Sequence, residues 1–355
     1  MGDFAKHLSE ELWRQSRIDS EIVVFRKPTN RVATEHGSGW HVRYAESATT
    51  QALIDCVMEQ MRADKDAPVL LHYGPYAYSS DGIPAHFAEA IGKLGEDGRL
   101  VVFFHEMWAQ GWPWKRAFWT RQSQRRAVQK LLASSRCAFT SSDLYMRRLQ
   151  QENGIERPLK QIRIFSNIGE LEHPLPLSQR EPRLVVFGQF PMRARLYRNS
   201  EKRLELLCHL LQLRGIVDAG SGEGAAIPRR IGSIPVERIG FLGERKASEL
   251  MATSVAGVVR YGPSMWEKSG VLAAYRAHGM LPVVQSSERK QLHNIAGIPI
   301  LVMEDLLQRD AKMSHREMQL FADHSHACYL QDTSLRKAAE RIAAAIASAS
   351  PHTPR

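Results

Sequence analysis

The chain has 355 residues, a length that favours two domains of ordinary size. It carries 48 Lys and Arg against 38 Asp and Glu, a formal net charge of +10, yet its 24% charged and 43% hydrophobic residues are typical of globular proteins and exclude a largely disordered chain. Apolar runs such as 100–104 are far shorter than the ~20 residues that cross a bilayer. No basic stretch leads into an apolar one near Met1, so no signal peptide is predicted.

In the first half of the chain, short continuous apolar runs alternate with stretches of helical periodicity. The predicted strands are 22–25, 69–73, 100–105, 137–140 and 162–165, and the predicted helices are 85–94, 116–133 and 143–152. Strands of this kind form parallel sheets covered by helices on both faces. We therefore expect a first domain over residues 1–172. It opens on an amphipathic helix, because Phe4, Leu8 and Leu12 recur every four residues, and its first strand is missing.

A linker is predicted at 173–182, where three prolines interrupt the pattern. The second series then has strands 184–190, 216–219, 256–261 and 281–284, with helices 200–213 and 269–277. This predicts a second domain over 183–330, followed by a C-terminal helix within 332–350. The expected fold class is thus α/β, with two Rossmann-like, doubly wound parallel sheets facing each other across a cleft.

Four cysteines stand far apart among apolar neighbours, without a CxxC pair: Cys56, Cys137, Cys208 and Cys328. This pattern predicts buried free thiols rather than disulfides or zinc ligands, and a reducing compartment, the cytoplasm. Asp64, Lys65 and Asp66 spell the D-x-D motif of some metal-dependent enzymes. They precede a strand rather than follow one, so we interpret them as a turn and predict no metal site.

The most informative segment is 261–284, YGPSMWEKSGVLAAYRAHGMLPVV. A strand ends at its start, a turn follows, and a helix begins near Ser269. Glu267, Lys268 and Ser269 are therefore expected at a helix N-terminus, where free N–H groups and the helix dipole favour a phosphate. Gly270 would permit its close approach. The alternative is an ordinary capped helix, in which Glu267 only complements the dipole.

This segment resembles the donor site of GT-B glycosyltransferases, in particular glycosyltransferase family 4, with its E-x7-E signature. Glu267 falls on the first glutamate, which in the family contacts hydroxyls of the donor sugar. The second glutamate contacts the nucleotide ribose, and Tyr275 stands in its place here. The resemblance therefore supports Glu267 as a catalytic-site residue and leaves ribose recognition without its usual carboxylate.

The resemblance extends to the basic residues that follow strand 184–190, namely Arg193, Arg195, Arg198 and Lys202. In the family a basic loop here holds the donor pyrophosphate, and cations are needed there because the leaving diphosphate develops charge. We predict that Arg195 and Lys202 reach the phosphates. The alternative is solvated surface charge. Gly222, in the GSGEG run at 220–224, is predicted to lie in a donor-site loop.

In the first domain, polar residues follow strands 69–73 and 100–105. His105 falls on a histidine that family 4 enzymes often place near the reacting sugar, so we predict a catalytic role; a hydrogen-bonded structural histidine is the alternative. Tyr76 is a candidate acceptor contact. The opening residues 1–4 resemble the tail of the family's first glycine-rich loop. We expect that the natural frame starts upstream or that another segment fills that edge of the sheet.

Four tryptophans lie between 108 and 119, and a basic helix follows them. Trp108 and Trp112 are predicted acceptor contacts, because indole rings stack on sugars; they also suit membrane interfaces, where the basic residues would meet anionic lipid. The alternative is a helix packed by Trp112, Phe118 and Trp119 with a solvated basic face.

The resemblance implies a glycosyltransferase that moves a sugar from a nucleotide diphosphate donor to a glycan, lipid-linked or small-molecule hydroxyl, without metal or cofactor and with retention. It would act in the cytoplasm, with peripheral contact at the inner face of the membrane. A nucleotide-sugar epimerase of similar fold and a noncatalytic family member remain alternatives. The net charge of +10 also suggests a nucleic-acid binder, but the basic residues are spread over both halves and form no recognised nucleic-acid motif.

Overall fold

A computed structural model of the chain describes residues 2–24, 36–47, 49–79, 81–95, 98–109, 112–154, 157–222, 224, 226–286 and 297–347. Some residues of the segments discussed above lie outside the described residues, namely Met1, Phe25, Ser80, Gln110, Gly111, Glu223 and 348–350. The chain divides into two compact units, the first with residues up to 163 and from 338 onwards, the second with 164–337.

The helices and strands of the first unit are, in chain order, α1 (Gly2–Ser16), β1 (Ser20–Val24), β2 (His36–Gly37), β3 (Trp40–Tyr44), α2 (Thr50–Ala63), β4 (Val69–Tyr73), α3 (Pro75–Tyr78), α4 (Ala85–Leu94), β5 (Leu100–Phe104), α5 (Arg116–Ser134), β6 (Cys137–Thr140), α6 (Asp143–Glu152) and β7 (Leu159–Gln161). Two sheets form. In one, β3 lies between β1 and β2; in the other, β4, β5, β6 and β7 run parallel in chain order.

The core of the first unit surrounds β5, whose five residues are all buried, as expected for a strand covered on both faces. Most predicted elements of this unit are confirmed, with bounds shifted by one or two residues. The strand predicted at 162–165 is wrong, because the ladder to β6 is made by Leu159–Gln161. Ile162 and Phe165 are buried nonetheless, so their apolar character reflects packing rather than strand pairing. Helix α2 was not predicted.

The helices and strands of the second unit and the C-terminal helix are β8 (Glu181–Phe187), α7 (Phe190–Tyr197), α8 (Glu201–Leu210), β9 (Gly215–Ala219), β10 (Arg230–Ile231), β11 (Ile234–Gly240), α9 (Glu244–Ala252), β12 (Ser254–Arg260), α10 (Gly270–Ala277), β13 (Leu281–Gln285), β14 (Leu301–Val302), α11 (Met303–Leu306), α12 (His315–Asp332) and α13 (Leu335–Ala347). Helix α13 was predicted; its backbone accepts a hydrogen bond from Arg136 at Ala345, within the first unit (3.0 Å).

The second unit has one sheet in the order β10-β11-β9-β8-β12-β13-β14, with every pair parallel except β10 with β11. The chain starts at β8, moves outward through β9 to β11, and then crosses back to β12 on the other side of β8. This doubly wound order reverses between β8 and β12. Doubly wound sheets bind their ligands at the carboxyl ends of the strands, at this point of reversal.

The structure also describes the thiols. All four cysteines are free, and three of them are buried as predicted. Burial raises the pKa of Cys208 to about 12, which makes that thiol unreactive. Cys328 is only partly buried, with Sγ 3.9 Å from His324 Nδ1, so the expectation of burial was wrong there. No helix within the described residues is both long enough and apolar enough to span a bilayer.

Candidate functional site

The point of reversal in the second unit is built from two segments that follow β8 and β12. Gly188 comes directly after β8, with φ of 127°, a value that favours glycine. A Cβ there would lie 3.6 Å from Val271 Cγ2, in the first turn of α10. The chain after β8 and the N-terminus of α10 therefore meet where a doubly wound fold takes its ligand.

The segment between β12 and α10 contains Glu267, Lys268 and Ser269. A 3₁₀ helix, Pro263–Lys268, follows the strand, so Glu267 and Lys268 lie on a turn of their own rather than in the first turn of α10. Glu267 is buried, Lys268 is partly exposed, and the backbone carbonyl of Glu267 accepts a hydrogen bond from Ile164 N (3.3 Å). The predicted helix start near Ser269 is confirmed.

Ser269 is the N-cap of α10. Its hydroxyl accepts a hydrogen bond from Leu272 N at 3.1 Å. It also bonds to the Tyr261 side chain, whose pKa is raised by burial, with the Ser269 bond acting in the opposite direction. The cap accounts for one of the helix's first N–H groups, whereas those of Gly270 and Val271 have no acceptor within the helix. The N-terminus of α10 can thus donate to an anion.

Asn167 lies beside this helix start. A Cβ on Gly270 would come within 3.4 Å of Asn167 Oδ1, so a larger residue would crowd the amide. Asn167 is exposed. It belongs to the segment before β8 and no sequence pattern distinguishes it, so sequence reasoning did not identify it. Its amide and the α10 N-terminus together present hydrogen-bonding groups on the same patch of the second unit.

The glycine loop after β9 packs directly against the chain after β8. A Cβ on Gly220, whose φ is 139°, would lie 1.9 Å from the Gly188 carbonyl oxygen. Phe190 N donates to Ser221 O at 2.9 Å. Gly222 has φ of 76°, and a Cβ there would lie 2.9 Å from Phe190 Cβ. The structure thus places Gly222 in a tight turn next to the segment after β8.

Arg193 holds these two loops together. Its side chain is 2% exposed, and its guanidinium pairs with Asp218 in β9. Its Nε donates to Gly188 O (2.8 Å), and its Nη2 donates to Ser221 O (3.1 Å) and Gly222 O (2.6 Å). Burial raises the pKa of Asp218, while Arg193 acts in the opposite direction. Arg193 is therefore a positioning residue for both loops, a role that the sequence did not indicate.

The predicted phosphate ligands Arg195 and Lys202 are both exposed. The expected basic loop is wrong in one respect: β8 ends at Phe187, and Arg193 and Arg195 lie on helix α7, which begins at Phe190. Pro191, which suits the first turn of a helix, favours this start. The backbone carbonyl of Arg195 accepts a hydrogen bond from Arg260 Nη1 (2.7 Å). Lys202 lies in the first turn of α8, as expected.

Tyr275, at the position of the family's second glutamate, is a core residue. Its ring is fully buried and lies over Gly257 in β12, where a Cβ would come within 2.6 Å of the ring. Its hydroxyl accepts a hydrogen bond from Phe187 N and donates one to Val185 O, both 3.1 Å. Burial raises the pKa of this hydroxyl, so it stays protonated. The side chain therefore joins α10 to the sheet.

In the first unit, His105 has a partner that the sequence did not reveal. His105 Nε2 lies 2.9 Å from His72 Nδ1. His72 is in β4 and His105 directly follows β5, its neighbour in the sheet, so parallel pairing brings the two rings together. Phe4 packs edge-on against both rings, with centroids 5.6 Å from His72 and 5.0 Å from His105. The hydrogen-bonded alternative for His105 thus has a structural basis.

The three predicted acceptor contacts lie in different surroundings. Tyr76 is 52% exposed, and Trp108 is 9% exposed and packs in the core of the first unit. Trp112 is exposed, and its ring stacks on that of Trp114. The interpretation of α5 as a helix packed by Trp112, Phe118 and Trp119 is wrong, because all three are exposed. The buried face of α5 is instead lined by residues such as Val128 and Leu131.

The D-x-D motif forms the predicted turn: Asp64 is the C-cap of α2, and its Oδ1 accepts a hydrogen bond from Asp66 N (3.0 Å). In the parts of the chain that the structure describes, no three side chains of His, Cys, Asp or Glu are grouped as they would be around a metal ion.

No protein-family model and no curated protein matches this chain. Solved structures do. An alpha,alpha-trehalose-phosphate synthase (UDP-forming) from Burkholderia vietnamiensis is 13% identical with a TM-score of 0.62, over 98% of this chain and 95% of that one. An alpha-glucosyltransferase in complex with UDP-glucose and DNA is 11% identical, with a TM-score of 0.60 over 97% and 96%. The trehalose-6-phosphate enzyme from E. coli bound with UDP-2-fluoro glucose is 11% identical, with a TM-score of 0.55 over 92% and 91%.

The chain has the GT-B fold. The α/β class with two Rossmann-like domains, expected from the sequence, is confirmed. In this GT-B chain the structure places Gly222 on the segment after β9 and Lys268, Ser269 and Gly270 on the segment after β12, and both segments meet the chain after β8 at Gly188. It adds Asn167 and Arg193 to them. It also joins His105 to His72 in the first unit.

Proposed function

We propose that this GT-B protein is a glycosyltransferase that uses a nucleotide diphosphate sugar, and that it resembles glycosyltransferase family 4. The observation that carries the proposal is the geometry at the reversal between β8 and β12. There the N-terminus of α10, Lys268 and the glycine loops fixed by Arg193 offer N–H groups and positive charge to a diphosphate.

The donor residues have distinct proposed roles. Gly270 and Val271 donate backbone hydrogen bonds to phosphate, with Lys268 as counter-charge. Glu267, by resemblance to family 4, accepts hydrogen bonds from hydroxyls of the transferred sugar. Arg195 on α7 and Lys202 on α8 are both exposed, and we propose them as further phosphate contacts.

Ribose recognition cannot use residue 275 as in family 4, because the Tyr275 hydroxyl is bonded to the sheet backbone. We propose that Asn167, exposed beside Gly270, supplies a polar contact to the donor instead. An amide can both donate to and accept from a hydroxyl group, which suits a sugar or ribose ring.

By resemblance to family 4, the transfer is proposed to retain the anomeric configuration and to require no metal or cofactor. The bond between the anomeric carbon and the β-phosphate oxygen breaks, the acceptor oxygen bonds to that carbon on the same face, and the acceptor proton passes to the leaving diphosphate. Preorganised N–H groups and cations stabilise the charge that develops on that diphosphate.

The acceptor is proposed to be a hydroxyl of a glycan, a lipid-linked sugar or a small molecule, with Tyr76, Trp108 and Trp112 as its proposed contacts and His105 as a proposed catalytic residue. We place the enzyme in the cytoplasm, in peripheral contact with the inner face of the membrane. Uridine diphosphate sugars are the first donors to test, since similar GT-B structures hold UDP or UDP-glucose.

The test is a product assay with UDP-glucose, GDP-mannose and ADP-glucose, in which release of the nucleoside diphosphate is measured with mixed sugar acceptors. Glu267→Gln keeps the size of the side chain but removes its charge, and we expect it to lower turnover at least tenfold. The matched control is Glu244→Gln, on the exposed start of α9. Unchanged turnover in Glu267→Gln would remove this residue from the site, and an epimerised nucleotide sugar as sole product would identify an epimerase.

A further inference from the structure

Four large aromatic side chains project from one short stretch of the first unit. Trp112 is 65% exposed, Trp114 75%, Phe118 38% and Trp119 73%. We call these four residues the aromatic cluster. Single exposed apolar residues are common on proteins, but a contiguous group of large ones marks an interaction site.

The aromatic cluster is an ordered structure. The rings of Trp112 and Trp114 stack with centroids 5.2 Å apart and planes 7° from parallel, and Phe118 meets Trp119 edge-on at 5.5 Å. Trp119 Nε1 donates a hydrogen bond to Pro113 O at 2.9 Å, which ties the first turn of α5 to the preceding turn. The rings are thus held together in the free protein, so little side-chain entropy remains to be lost when they bind a partner.

The surrounding sequence is basic throughout. Between Met107 and Ser142 there is no Asp or Glu, and there are seven cations: Lys115, Arg116, Arg121, Arg125, Arg126, Lys130 and Arg136. Of these, Arg125 pairs with Glu152 at 2.7 Å. We call Lys115, Arg126 and Lys130, which are all exposed, the basic face.

The basic face adjoins the aromatic cluster. Trp119, Arg126 and Lys130 are separated by seven and four residues, so they lie along one side of α5. Lys115, the N-cap residue of α5, follows Trp114 directly in the chain. Arg121, two residues after Trp119, points to a different side of the helix and is not part of the basic face.

We propose that the aromatic cluster and the basic face together dock on an anionic phospholipid bilayer. Indole rings combine an apolar body with a polar N–H and favour the boundary between headgroups and acyl chains. Lys and Arg side chains near an anionic leaflet are attracted to its surface charge, so basic side chains that flank inserted aromatic rings strengthen the binding. The proposal rests on the peripheral membrane contact proposed above and assigns that contact to this surface of the first unit. It does not depend on which reaction the enzyme catalyses, so vesicle binding and turnover can fail separately.

Two other partners fit the surface less well. A nucleic acid would need aromatic faces onto which bases can stack. In the aromatic cluster Trp112 and Trp114 already stack on each other, and the Phe118 edge lies against Trp119. A neutral glycan would use aromatic faces but gains little from three exposed cations. A bilayer uses both the hydrophobic bulk of the rings and the positive charge.

The test is sedimentation of the whole chain with two kinds of vesicle, one of phosphatidylcholine alone and one that also contains about 30% phosphatidylglycerol, an anionic lipid. We expect at least tenfold tighter binding to the anionic vesicles, weakened by high salt. We test two variants, one with Trp112→Ser, Trp114→Ser and Trp119→Ser and the other with Lys115→Gln, Arg126→Gln and Lys130→Gln. Each should bind at least tenfold more weakly. All six side chains are exposed, so both variants should keep the wild-type Tm.

The matched control carries Phe241→Ser, Arg245→Gln and Lys246→Gln, an exposed aromatic and two exposed cations of the second unit. It should bind anionic vesicles as the wild type does. The proposal would be overturned if the wild type did not bind vesicles, or if the control lost as much binding as the two variants. Tighter binding to a mixed-sequence oligonucleotide or a soluble glycan than to anionic vesicles would also overturn it.

Discussion

Arg193 and Asp218 form a buried ion pair, through which the chain after β8 is fixed to the glycine loop after β9. Both side chains are at most 2% exposed. The other N–H groups of the guanidinium donate hydrogen bonds to loop carbonyls. Arg193 therefore shapes the proposed nucleotide-sugar site without contacting the nucleotide sugar.

We expect Arg193→Met to be severely destabilising, because it leaves the Asp218 carboxylate buried without its partner. The loss in free energy of unfolding should be about 3–5 kcal/mol, measured by urea denaturation. Arg195→Met, two residues further on and exposed, should change it by less than about 0.5 kcal/mol. Equal effects of the two substitutions would contradict the positioning role of Arg193.

Gly220→Ala tests the contact between the loops themselves. A methyl group there would overlap the Gly188 carbonyl oxygen. The alanine would also have to adopt the φ of 139° seen at Gly220, which L residues rarely adopt. We expect a loss of at least about 2 kcal/mol in the free energy of unfolding and weaker nucleotide binding. Gly154→Ala is the control, since open space surrounds a Cβ at that glycine. A neutral Gly220→Ala would mean that the loops can separate at little cost.

Many strands and helices of the fold can be predicted from the sequence, whereas contacts between residues that are distant in the chain cannot. The strands around β5 and β12 are continuous apolar runs, and Ser269 is an N-cap of standard type, so their places could be predicted. The burial of Arg193 could not, because a basic residue after a strand has the same local pattern whether it binds phosphate or loop carbonyls. Its role depends on Asp218, a residue 25 positions away.

The same limit applies to the first unit. His72 and His105 lie 33 residues apart, and only the register of β4 against β5 brings their rings together. Comparing which polar residues end adjacent predicted strands could have suggested the pair. The sequence did not predict the exposure of Trp119 for another reason. An aromatic residue at helical spacing usually faces the core, whereas the residues of the aromatic cluster are exposed.

Tyr275→Phe distinguishes a core residue from a ligand contact. Removing the hydroxyl leaves Phe187 N and Val185 O without this partner in the core, so the free energy of unfolding should fall by about 1–3 kcal/mol. Nucleotide affinity should stay within threefold of the wild-type value, measured by calorimetry on the folded variant. A larger loss of affinity at unchanged stability would place Tyr275 in the binding site.

Acid should destabilise the first unit through His72. Burial lowers the pKa of this ring to about 4, whereas an unfolded histidine titrates near 6.5. The neutral His72 ring therefore contributes fully to the free energy of unfolding above pH ~6.5. This contribution is lost as the pH falls towards about 4, because the unfolded chain gains a proton that the folded chain does not. The loss amounts to at most about 3 kcal/mol.

We expect His72→Asn to flatten the fall of Tm over this pH window, and His209→Asn, at an exposed position, to leave it unchanged. Some slope should remain, since burial also lowers the pKa of His278 and His326. If His72→Asn had the same pH profile as the wild type, His72 would not be the group responsible.

The most direct measurement of diphosphate binding at the α10 N-terminus is calorimetric titration with UDP, GDP and ADP. It compares the wild-type chain with the variants Lys268→Met and Lys246→Met. At least one nucleotide should bind the wild type. Lys268→Met should weaken it roughly tenfold to hundredfold, as expected for loss of a charged hydrogen bond worth about 1.5–3 kcal/mol, and Lys246→Met, on exposed α9, should not. Failure of all three nucleotides to bind, or equal affinity in wild type and Lys268→Met, would contradict this account of the donor site.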